Sequence, residues 1–182
     1  MTREPFGPEE IAALREAIEI SEDVAGNHFK ISTSEWKRYR YDIQSLKDLR
    51  EDEIIETAFA QLRRYAFPPG ERRRGTDRGD FFKICLQDHV IRGALARNPE
   101  LAIVPFCAYI VVHELIHVVR FARFLQSFHT TDAEREAEEH RVHLLTHQLL
   151  ENRKLPGMAR VLKEFSSFLD METFVDRAPE HG

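Results

Sequence analysis

In the stretch Val111-Val112-His113-Glu114-Leu115-Ile116-His117-Val118-Val119, two histidines stand four residues apart with an acid directly after the first. On a helix, positions i and i+4 share a face about 6 Å apart, so both imidazoles can reach one metal ion. Glu114 lies about 100° round the helix from His113, where its carboxylate can take a proton from a water on that ion. This is the chemistry of metal-assisted hydrolysis with Glu114 as general base. The short pattern is weak by itself, but its neighbours are all apolar and predict a buried helix. A buried His-Glu-His cluster is costly unless a metal compensates it. Of the nine histidines, His113, His117, His129, His140, His143 and His147 crowd into this part of the chain.

A catalytic zinc takes three protein ligands and leaves one position open. Arg120 and Arg123 occupy the places where the metzincin pattern needs Gly and His, so the third ligand must come from further along. Residues 131–152 read as a helix opened by a capping box of Thr131 and Glu134. At about 100° per residue, Glu136 shares an arc with Ala133, Ala137, His140, His143, Leu144 and His147. By the same count Glu134, Glu138 and Glu139 point away. The expected metal ligands are therefore His113, His117 and Glu136, with His140 as runner-up for the third place. His143 is expected in a catalytic role, steadying the oxyanion, with His140 and His147 as alternatives on the same arc. Orienting Glu136 is the competing role for these histidines.

With HELIH at residues 113–117 and Glu136 in EREAEEH, the chain resembles the gluzincin clan of zinc metallopeptidases over about residues 81–150. Its size and layout look like those of the minigluzincins and of phage-type regulatory metalloproteases. The resemblance implies a zincin-like core, Zn2+ as cofactor and a peptide or protein as substrate. It also implies that the strand FFKICLQ, residues 81–87, binds peptide in extended form. The clan often carries a small residue and an acid three and four places after its Glu ligand; here Glu139 and His140 stand there. No tyrosine follows to serve as an oxyanion donor.

The elements that must position these groups predict a mainly α fold with a few short strands (α+β). Helices are expected at 8–20, 50–66, 99–124, 131–152 and 158–169, with Pro105 kinking the third or ending a first piece of it. Strands are expected at 36–43 and 81–87, loops at 21–35 and 68–80, and a frayed tail after Asp170. One domain spans 1–182. Within it, 1–67 forms an N-terminal helical and strand portion, 81–152 the metal-binding core and 156–182 a C-terminal helix and tail.

Composition narrows the function classes. The chain has 182 residues, 42% hydrophobic and 31% charged, with a net charge of −5. That acidic balance argues against a nucleic-acid coat, although Trp36 to Tyr41 interleaves basic and aromatic residues. Cys85 and Cys107 lie in apolar stretches and read as reduced core residues of a cytoplasmic protein. The start MTREPFGPEE lacks the apolar core of a signal peptide. The longest apolar run, Leu101 to Val112, is shorter than the roughly 20 residues of a bilayer span, so no membrane partner is expected. Two rival functions remain. One is a zinc-stabilised, catalytically inactive regulator that binds a partner. The other is a di-iron carboxylate oxidoreductase, which would need a second Glu-x-x-His pair that the chain lacks.

Overall fold

The computed structural model describes residues 3–65, 81–125 and 130–169. The expected loop at 68–80 and the tail after Asp170 lie outside these residues, as does His129. The fold is mostly helical with one small mixed sheet, an α+β arrangement.

Helix α1 spans Pro8–Phe29. Its first turn is fixed by Pro8, whose missing N–H costs nothing there, and by the Glu10 carboxylate, which accepts the Gly7 N–H at 2.7 Å. Leu14, Ala17, Ser21, Val24 and Ala25 form its buried stripe. The helix continues nine residues beyond the expected end, through Gly26, because that glycine is a packing position and not a break. A Cβ there would meet the Ile31 carbonyl at 3.0 Å and the Trp36 indole nitrogen at 3.1 Å. A short 3-10 turn, Trp36–Tyr39, replaces the first half of the strand expected at 36–43, and strand β1 covers Tyr41–Gln44.

Within the helix expected at 50–66, the described residues 50–65 are not helical. They form a 3-10 turn at Glu51–Glu53 and strand β2 at Ala60–Tyr65. The reason is tertiary. Glu53 is buried and accepts hydrogen bonds from Lys83 Nζ at 2.8 and 2.7 Å and from the Tyr65 hydroxyl at 2.5 Å. Strand β3, Phe81–Leu86, appears where expected. It is the middle strand of the order β1-β3-β2, parallel to β1 and antiparallel to β2. Both its edges are therefore paired. That corrects the expectation that this strand binds a peptide in extended form: among the described residues, only β1 and β2 of this sheet have an unpaired side.

Helix α2, Asp88–Arg97, follows β3 at once and was not anticipated. Its start is a buried polar knot. Asp88 accepts the Phe6 N–H at 2.8 Å and the Leu46 N–H at 3.0 Å. Gln87 accepts the Ile55 N–H at 3.0 Å and donates to the Glu53 carbonyl at 2.9 Å. These bonds tie the N-terminal segments to the end of the sheet.

Helix α3, Ile103–Ala122, is the axis of the molecule, and every residue from Pro105 to Val119 is buried. Pro105 falls in the first turn, where a helix tolerates it, so no separate first piece exists. The helix is long and apolar enough to cross a membrane, more so than the uninterrupted run suggested, but 83% of its most apolar window is covered by the rest of the chain. It packs along α1 and against β2 and the two helices that follow it. Small residues allow the close approach to α1: Ser21 of α1 donates to the Ala17 carbonyl at 2.6 Å and lies 3.2 Å from the Ala108 carbonyl of α3. Helix α4, Asp132–Glu151, begins at the expected capping box, with Glu134 N–H donating to Thr131 Oγ1 at 3.2 Å. Helix α5, Met158–Leu169, closes the described chain.

Candidate metal centre

The site lies where α3 crosses α4. Because α3 is enclosed on all sides, His113, Glu114 and His117 are held at 4–5% exposure. The i, i+4 spacing brings the two imidazoles together as expected, with Nε2 of His113 and Nε2 of His117 3.2 Å apart. The third group is Glu139 of α4. Its carboxylate oxygens lie 3.3 Å from His113 Nε2 and 3.2 Å from His117 Nε2.

Glu136, expected here, is exposed, and so are Ala133, Ala137, His140 and Leu144 from the arc assigned to it. The helix is turned the other way: Glu138, Val142, His143, Thr146 and Leu150 are buried. Ala133 and Ala137 do not mark an inward face, because Ala is indifferent to exposure. The true inward row runs through Val142 and Leu150, preceded by two acids that a periodicity argument assigns to solvent. Glu138 goes inward because its partner comes from another helix. Its carboxylate is bridged by the Arg120 guanidinium of α3, Nη2 at 3.1 Å, with Arg141 pairing to the same group. Glu139 follows it inward to the histidines. Arg120, the residue that breaks the metzincin pattern, is the feature of the sequence that points to this docking.

His143 is buried beside the cluster, the one member of the misassigned arc that reaches it. Its ring centroid is 4.3 Å from that of His113, and a ring nitrogen lies within 4.8 Å of donor atoms on His113 and Glu139. Tyr109, one turn before His113, meets its Nδ1 at 3.1 Å. On the other side His117 stacks on Phe121, which stacks on Phe82 of β3. The Cys85 thiol of β3 is pushed up to about 12, first by burial and then by Glu53, with a smaller contribution from Glu114. Both cysteines are free and buried, and Cys107 is likewise raised to about 12 by burial, so neither is a ready thiolate.

Burial alone would raise the Glu139 carboxyl. The charges and hydrogen bonds of His117 and His113 outweigh it and hold Glu139 far below the usual carboxylate range. A carboxylate with two imidazoles is a donor set suited to zinc and similar divalent ions. The spacing also fits. With bonds of about 2.0–2.1 Å, two ligands on a tetrahedral zinc lie roughly 3.3–3.4 Å apart, and the three contacts measured here are 3.2–3.3 Å.

No protein-family model, curated protein or solved structure matches this chain.

Proposed function

We propose that this protein is a zinc-dependent metallopeptidase of the gluzincin type, with a zincin-like core in which His113, His117 and Glu139 hold the ion. The observation that carries the reading is the triangle of donor atoms from these three residues, with Glu114 next to it on the same buried helix. A zinc ion so held supplies a Lewis acid for the scissile carbonyl and a water whose pKa is brought toward neutrality. Glu114 is the base that takes that water's proton and returns it to the leaving amine. Phe121 and Phe82 keep bulk water from the His117 side, which strengthens every charge interaction inside. An extended peptide would pair with an edge strand, β1 or β2, since β3 is taken on both sides.

A second reading has a specific observation behind it. His143 stands close enough to His113 and Glu139 to be grouped with them. As a fourth ligand it would close the site, and the ion would then be structural, as expected of an inactive partner-binding regulator.

A peptide library incubated with zinc-loaded protein tests the first reading. Cleavage is expected, lost with a chelator and restored by zinc. Glu114→Gln should retain zinc while the rate falls by about 10²–10⁴. Zinc loss in Glu114→Gln would make Glu114 a ligand and sink its role as base.

A further inference from the structure

Among the described residues, those other than glycine with a left-handed backbone are Lys30, Arg40 and Phe124, at φ 58°, 41° and 56°. Each directly follows a residue that shares in one contact. Arg123 donates to the Phe29 carbonyl and to the Tyr39 hydroxyl, both at 3.0 Å, and Phe124 comes next in the chain. The ends of α1, of the 3-10 turn and of α3 are thus gathered into one corner. The Leu125 N–H bonds the Arg120 carbonyl at 2.8 Å and the Phe124 N–H bonds the Phe121 carbonyl at 3.1 Å. Helices that end this way normally place glycine where Phe124 stands. A Cβ disfavours that backbone, and no packing offsets the strain: Phe124 is 95% exposed and Leu125 beside it 55%. The rest of the corner is basic. Lys30, Lys37, Arg38 and Arg123 are exposed, and from Lys30 to Arg40 the only acid is Glu35, in a chain whose net charge is −5. None of Lys30, Lys37 and Arg38 is held in a salt bridge among the described residues.

A single-stranded nucleic acid would need open aromatic faces as well as cations. Trp36 is instead buried, its ring against those of Tyr39 and Tyr41 at 5.6 and 5.7 Å, and the Arg123 guanidinium lies over Tyr39 at 5.8 Å. Leu125 has no ring to stack. A protruding Phe-Leu pair in a collar of cations fits a medium that is anionic at its surface and apolar just below it. We propose that this corner is a docking site for an anionic lipid bilayer: Phe124 and Leu125 enter the interface, and Lys30, Lys37 and Arg38 meet the headgroups. Such a contact needs no spanning helix. None of these residues belongs to the metal centre, so the proposal does not rest on that reading.

Flotation of the full-length chain with lipid vesicles tests this. Vesicles of equal parts phosphatidylcholine and phosphatidylserine should carry the protein up, phosphatidylcholine alone should not, and added salt should weaken the binding. Phe124→Gly removes the ring and suits the left-handed backbone. It should lower vesicle affinity about ten- to hundredfold while its Tm stays at or above that of the parent. Lys37→Glu together with Arg38→Glu should lower affinity by more than about twentyfold, at roughly fivefold per charge near the surface. Absence of binding to the anionic vesicles overturns the proposal, as does equal binding to both kinds or unchanged binding by Phe124→Gly. A lowered Tm in Phe124→Gly would make Phe124 a packing residue and overturn it too. So would tighter binding to a single-stranded oligonucleotide that Phe124→Gly retains, or a dimer of the parent that Phe124→Gly dissociates.

Discussion

Replacing Lys83 should expose how strongly the sheet depends on one buried ion pair. The Lys83 ammonium lies 2.8 and 2.7 Å from the two oxygens of Glu53, whose side chain is 1% exposed. Burial pushes the Glu53 carboxyl up, but Lys83, the Tyr65 hydroxyl and the Arg50 N–H more than offset this and hold it at about 2. Against an ordinary 4.5, that gap corresponds to about 3 kcal/mol favouring the ionised carboxylate in the folded chain. Because the folded value is depressed, this stability is complete above about 4.5 and is lost as pH falls from there toward about 2. Lys83→Met leaves Glu53 buried without its cation and should cost about 3–5 kcal/mol at neutral pH. Adding Glu53→Gln to Lys83→Met removes the stranded charge and should recover part of that loss. Urea denaturation followed by circular dichroism, from about pH 7 to pH 3, reads both effects. The deficit of Lys83→Met should shrink as the pH falls below about 4.5, because the unfolded parent chain then takes up a proton at Glu53 that the folded ion pair excludes. A deficit below about 1 kcal/mol, the scale of a solvent-exposed pair, would refute the reasoning, as would a deficit that does not vary with pH.

Two further substitutions test how the site is positioned. Arg120→Ala removes the guanidinium that bridges α3 to Glu138, next in sequence to Glu139. With Arg141 still paired to Glu138, the expected cost is about 1.5–3 kcal/mol by urea denaturation, accompanied by weaker zinc binding. Gly26→Ala drives a methyl group against the Ile31 carbonyl and the Trp36 indole and should destabilise by about 1–3 kcal/mol, read as a lowered Tm.

The part of the site carried by α3 was legible in the sequence because it needs only local geometry. A four-residue spacing on one helix brings His113 and His117 together whatever surrounds them. The capping box at Thr131, the strand at Phe81 and the last helix were legible for the same reason. The facing of α4 was not. Its inward side carries Glu138 and Glu139, which a helix wheel assigns to water, and both turn inward only because Arg120 and the two histidines of α3 await them. The stretch around Glu53 misled in a similar way. Its apolar spacing suits a helix, yet the buried bond to Lys83 and the pairing of Leu62 with Ile84 make it a turn and a strand. In each case the deciding partner lies far away in the chain, beyond the reach of periodicity.

Zinc content with competitive titration tests most directly whether His113, His117 and Glu139 bind one zinc ion. The measurement compares the parent chain with His113→Ala, Glu139→Gln and Glu136→Gln. The parent should hold about one zinc per chain. His113→Ala and Glu139→Gln should lose affinity by more than the roughly 10–100-fold that follows loss of a supporting residue outside the ligand set. Glu136→Gln, altered on the exposed side of α4, should bind as the parent does. Full zinc retention in Glu139→Gln, or loss of zinc in Glu136→Gln alone, would contradict the site described here.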